Sequence, residues 1–72
     1  MSFSQKNFAA YVRSLRKRVN LNQSDFAQYL GIKQPYYCLL EGNHHPSLRI
    51  LSKVIAYAKG RGYKPKLSDF FK

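Results

Sequence analysis

The sequence predicts an all-α fold, a compact bundle of about five short helices. Three observations lead there. Apolar residues recur at three- and four-residue spacing, and no stretch alternates as a half-buried strand does. Serine, asparagine, glycine and proline stand where helices begin and end. Finally, 72 residues hold one core, so residues 1–72 form a single domain. A chain this short buries only about 60% of the surface its unfolded state exposes. With one cysteine, Cys38, no internal disulfide is available to staple it.

The first helix is marked by Phe8, Tyr11, Val12, Leu15 and Val19 on one stripe, with Lys6, Arg13, Arg16, Lys17 and Arg18 at the remaining positions. Ser4 is its expected N-cap. The second opens at Asn22, a capping residue, sets Asp25 against its positive end and stops at Gly31 after about two turns. Proline is tolerated only in a first turn, so Pro35 starts the third helix at Lys33 or Gln34, and Gly42 ends it. After the polar loop Asn43, His44, His45 and Pro46, Ser47 caps a fourth helix whose expected inner face is Leu48, Leu51, Val54, Ile55 and Ala58. Gly60, Arg61 and Gly62 break it. The last stretch, from Tyr63 to Lys72, reads as a loop and one short helical turn presenting Phe70 and Phe71.

Thirteen lysines and arginines against three acids give a formal net charge of +10 and a pI near 10.1. Such an excess attracts a polyanion, and nucleic acid leads the partners. A disordered basic tail would show the same charge, but 44% hydrophobic and 15% aromatic residues mean that the charge decorates a folded domain. A membrane partner is not expected, because no window approaches the roughly 20 apolar residues of a spanning helix. Residues 1–7 show no apolar signal core, and a lone cysteine suits a reducing compartment, so a cytoplasmic, nucleoid-associated protein is expected.

Enzyme chemistry fails on inventory. Three acids scattered along the chain and a histidine pair build neither a two-metal nor a general acid–base site. His44 and His45 lack further ligands nearby, and Cys38 lacks an acid–base partner. No metal, cofactor or small-molecule ligand is expected.

The second and third helices carry the functional signal. Counting from Gln23, the small Ala27 falls where two helices of a DNA-reading unit cross closely, and Gly31 falls in the turn between them. Phe26, Leu30, Ile32, Tyr37 and Leu40 take the positions that must be apolar to lock the pair. Residues 22–42 therefore match a helix-turn-helix.

With Leu15-Arg16-Lys17, Leu21 to Ala27, Gly31 to Gln34, Leu40-Glu41 and Pro46-Ser47-Leu48 in place, the sequence resembles the Cro/cI-type helix-turn-helix family. These are the lambdoid phage repressors and their bacterial relatives, also called the XRE family. The resemblance spans about residues 8–58 and implies a lambda repressor-like DNA-binding domain.

It also implies roles. Asn22 and Gln23 begin the helix whose backbone N–H groups abut a phosphate, as a helix N-terminus does on physical grounds. Gln34 matches the first base-reading glutamine, whose amide pairs twice with adenine. Pro35 and Leu39 stand where relatives often carry polar readers, and contact thymine methyl groups instead. A 100° wheel puts Cys38 on the same outward face. Lys33 reaches a phosphate or base edge, while the Tyr36 hydroxyl either reaches a phosphate or packs. Asn43, His44 and His45 occupy a loop, one residue shorter than usual, that faces the backbone in relatives. Arg16 and Glu41 match an ion pair joining the first helix to the third.

The function expected is a phage or bacterial Cro- or repressor-like regulator, reading palindromic operators as a homodimer with half-sites about 34 Å apart. Phe70 and Phe71, in the tail of residues 60–72, either close the core or form the dimer contact, and the second reading is preferred. The alternative is an antitoxin-like or adaptor protein whose helix-turn-helix mainly engages another protein.

Overall fold

The computed structural model of the chain describes residues 2–42 and 44–71. Four α-helices follow in order, α1 Gln5–Arg18, α2 Gln23–Leu30, α3 Gln34–Glu41 and α4 Leu48–Gly60, before a 3₁₀ turn over Leu67–Phe70. Among the described residues the helix count is therefore four, not about five. The expected fifth is a four-residue 3₁₀ piece, the length at which that geometry normally stops. Among the described residues there is no strand, only an isolated antiparallel bridge between Phe3 and Phe71.

Each helix begins and ends for a local reason. Ser4 Oγ accepts from the Asn7 N–H at 3.2 Å, Asn22 Oδ1 from the Asp25 N–H at 2.8 Å, and Ser47 Oγ from the Ile50 N–H at 3.2 Å. α3 has no side-chain cap and starts instead with Pro35 in its first turn. Arg16, Lys17 and Arg18 crowd the last turn of α1, where cations oppose the negative end of the helix.

Gly31 closes α2 in the left-handed region at φ +73°, and its N–H and that of Ile32 return to Gln28 O and Ala27 O at 3.1 and 3.0 Å. A Cβ at Gly31 would also stand 2.9 Å from Lys53 Nζ, which itself donates to Leu30 O at 3.1 Å. Gly31→Ala should therefore lower stability by about 1–2 kcal/mol from the backbone alone. Gly60→Ala, in open space at the end of α4, should instead raise it by roughly 0.5–1 kcal/mol. Urea midpoints of the two variants moving in the same direction would refute this assignment.

The core is assembled from one face of every helix. Phe8, Val12 and Leu15 meet Phe26, Ala27 and Leu30, then Tyr37 and Leu40, and α4 covers them. Ala27 is 1% exposed, so its small side chain lies within the packed interior. The phase of α4 differs from expectation. Leu48 is 79% exposed and Ile50 is 4% exposed, so the inner stripe runs through Ile50, Leu51, Val54 and Ala58. Residue 48 is the first of the helix, and the stripe that meets the bundle starts two residues later.

Phe70 requires a correction too. It is 1% exposed, with its ring 5.5 Å from Phe8 and 5.3 Å from Tyr11, both edge-on. It closes the core and is not available as the dimer contact expected of it. Phe71 is partly buried and packs edge-on against Phe3 at 5.4 Å.

Candidate nucleic-acid interface

Glu41, the last residue of α3, is the buried charge around which the helices are oriented. Arg16 Nε of α1 donates to Oε2 at 2.6 Å and Nη2 to Oε1 at 3.4 Å. Gln23 Nε2, at the start of α2, donates to Oε1 at 3.1 Å, and the Tyr37 hydroxyl donates to Oε2. Arg13 Nη2 adds a bond to the Glu41 backbone carbonyl at 2.8 Å, and Arg16 Nη1 reaches Leu21 O at 3.3 Å. Among the described residues no buried side-chain nitrogen or oxygen lacks a partner.

The electrostatics follow from these contacts. Burial pushes the Glu41 carboxyl up, but hydrogen bonds from Arg16, Tyr37 and Gln23 outweigh it and hold the group below the usual range. Burial first, and the bond to Glu41 second, push the Tyr37 hydroxyl well above the ordinary tyrosine value. The Arg16 guanidinium is raised, chiefly by its bond to Glu41.

Held from behind in this way, α3 turns Gln34, Pro35, Cys38 and Leu39 outward as one exposed strip, with Leu39 53% exposed. Lys33, exposed, precedes it. The start of α2 lies alongside, because Cys38 Sγ donates to Gln23 Oε1 at 3.1 Å. Both ends of the Gln23 amide are thus engaged within the protein, and the Asn22 side chain is engaged in its cap. What this corner offers a ligand is backbone N–H.

Tyr36 is partly buried, with its ring 5.8 Å from His44, and the His44 N–H donates to Leu39 O at 2.9 Å, so the loop begins beside α3. His45 turns to the other side, with its ring 4.9 Å from Phe3 and Nδ1 2.9 Å from Pro46 O. Asn43 lies outside the described residues. No group of three or more histidine, cysteine, aspartate or glutamate side chains suited to a metal occurs among the described residues.

Sequence reasoning missed the structural work of Arg13, placed there only among the residues off the apolar stripe, and of Lys53, which donates to the last carbonyl of α2. It also missed the Tyr37–Glu41 bond, although an i, i+4 pair of those types on one helix signals it. Among the described residues no helix is long and apolar enough to cross a membrane. No family model, curated protein or solved structure matches the chain.

Proposed function

We propose that the protein is a sequence-specific, double-stranded DNA-binding transcriptional regulator of the Cro or repressor kind. In this reading α2, the Gly31 turn and α3 form a helix-turn-helix, and α3 enters the major groove. The observation that carries it is the outward strip of α3, an amide and apolar surface on a helix whose opposite side, Tyr37, Leu40 and Glu41, is buried. A chain of net charge +10 supplies sequence-independent attraction to phosphate, leaving discrimination to that strip.

Gln34 pairs with an adenine edge, while Pro35 and Leu39 meet thymine methyl groups. Lys33 and the backbone N–H groups at Asn22 and Gln23 hold phosphates. Two copies read a palindrome and block polymerase by occupancy, in the cytoplasm and without a cofactor. With Phe70 in the core, the tail's contribution to a dimer reduces to Phe71.

Selection of bound duplexes from a random pool at stated salt, with sedimentation of the complex, tests this. The expected outcome is a palindromic consensus with half-sites about one helical turn apart and two chains bound. A pool that enriches no consensus sinks the proposal. At the selected site, Gln34→Ala should cost about 1–3 kcal/mol and relax one base position, whereas Lys33→Ala should weaken all sequences alike and flatten the salt dependence. Equal behaviour of the two variants on selected and random DNA would contradict the roles assigned to α3.

The exposed apolar side chain of Leu39 on the same strip also suits a protein partner, as in an adaptor or antitoxin-like role. Nuclease-resistant co-purification with a stoichiometric protein would favour that second reading.

A further inference from the structure

We infer that the cleft between α4 and the α2–α3 turn is a phosphodiester site, with Arg49 and Lys53 as its cations. It takes a backbone phosphate of the duplex whose bases α3 reads, and so rests on the function proposed above. The cleft has a volume of about 220 Å³ and is lined by Gly31, Tyr36, Ser47, Arg49 and Lys53 over a floor that includes Ile50. Neither cation belongs to α3 or to the start of α2, so this contact is additional to those of Lys33 and the α2 N-terminus.

Charge decides the class of ligand. The chain has three acids, and none lines this cleft. Glu41 is engaged with Arg16, and Asp25 sits in the first turn of α2. Asp69 lines a different groove, of about 180 Å³ between α1 and the C-terminal segment, together with Arg18 and Lys64. The α4 cleft therefore gathers two cations with no counter-charge, a setting that favours an anion.

Donors are free to meet one. Lys53 Nζ gives one hydrogen to Leu30 O at 3.1 Å and keeps two, which also holds the ammonium in place before a ligand arrives. The Ser47 hydroxyl accepts from Ile50 and retains its own hydrogen. Arg49 is exposed and carries a guanidinium suited to a phosphate in two-point contact.

Location decides the source. Tyr36 belongs to the first turn of α3, next to Pro35 and two residues from Gln34, and is one of the residues lining the cleft. A helix whose outward strip faces bases brings its flank against the adjoining sugar–phosphate strand. The cleft occupies that flank, on the α4 side, whereas the α2 N-terminus occupies the other end of the reading unit. A duplex spanning both is clamped on either side of the bases it presents.

Fluorescence anisotropy of a labelled duplex across a salt series, with wild type, Arg49→Gln, Arg49→Lys and Lys53→Gln, tests the site. Arg49→Gln should reduce the slope of log affinity against log salt by about 0.9, which is roughly a five-fold loss at 0.15 M, equally on selected and random sequences. Arg49→Lys should retain the slope. Lys53→Gln should repeat the loss, and thermal melting of each variant separates this from the loss of the α2 cap. Because Arg49 is exposed, Arg49→Gln should keep the wild-type melting curve.

Wild type that binds duplex while both glutamine variants keep its slope and affinity overturns the phosphodiester site and leaves the proposed function standing. Wild type that binds no duplex overturns both. Titration with inorganic phosphate, followed by amide NMR shifts, is the third arm. Shifts at residues 47–53 without any effect of Arg49→Gln on DNA would assign the cleft to a free phosphate and refute its place on the duplex.

Discussion

Arg16→Ala should destabilise the fold by about 3–5 kcal/mol, a large part of what a domain of this size possesses. The substitution leaves the Glu41 carboxylate, 8% exposed, without its 2.6 Å partner, while the Tyr37 hydroxyl and the Gln23 amide cannot neutralise it. Replacing both members with apolar side chains, Arg16→Met with Glu41→Leu, should recover part of the loss, because no charge is then stranded although the buried Tyr37 hydroxyl loses its acceptor. Chemical denaturation measures both. A loss under about 1 kcal/mol for the single variant would place the pair with ordinary exposed ion pairs.

The same network sets the response to acid. The Glu41 carboxyl is held lower in the folded chain than in the unfolded one. As the pH falls through the ordinary carboxylate range the unfolded chain therefore takes up its proton first, and stability declines until the folded-state value is passed. Above the ordinary range the contribution is fully present. Glu41→Gln should flatten the melting temperature across that acidic window, and only two other acidic side chains, Asp25 and Asp69, remain to respond there. A variant as acid-sensitive as wild type would show that Glu41 is not the group responsible.

Phe70→Ala is the second large effect, about 3–5 kcal/mol, the range for deleting a buried aromatic ring. The residue is 1% exposed between Phe8 and Tyr11. The loss should be independent of protein concentration, because the ring fills the core of a single chain. A dimer contact would behave otherwise, weakening association in sedimentation while a dilute sample melted as wild type. Phe71→Ala, at a partly buried ring, should cost less.

How far the sequence foretold the molecule depends on the range of the interaction. Caps are local, and Ser4, Asn22 and Ser47 each hold the N–H that their position predicts. Gly31 adopts the left-handed conformation for which glycine suits the end of α2. Pro35 falls in a first turn because no other place in a helix accepts it. The Arg16–Glu41 pair stands where the family resemblance puts it; Tyr37 joins it from within α3, whereas Gln23, from α2, joins only when the helices are docked.

Other features were hidden because several solutions fit the same letters. The segment from Leu48 to Ala58 is apolar at eight of its eleven positions, so no single stripe is singled out, and docking against α2 selects Ile50 over Leu48. Two phenylalanines beside Lys72 suit an interface as well as a core, and only the ring contacts with Phe8 and Tyr11 decide for Phe70. Within the candidate interface, the outward strip Gln34, Pro35, Cys38 and Leu39 follows from helical phase. The cleft with Arg49 and Lys53 does not, since it forms between residues of three elements.

The contacts between the two ends of the described chain also bear on how it folds. α2 and α3, joined by a short turn, meet through contacts close in sequence, which form fast and at small loop-closure cost. The Asn7 side chain instead donates to Asp69 O, 62 positions away, and the Ser4 N–H donates to Phe70 O. Closing so long a loop is unfavourable until its contacts are in place, so the segment around Phe70 should dock after the barrier is crossed. On a chevron plot Phe70→Ala should leave the refolding limb nearly unmoved and lift the unfolding limb, making the aromatic seal a determinant of how long the native state lasts.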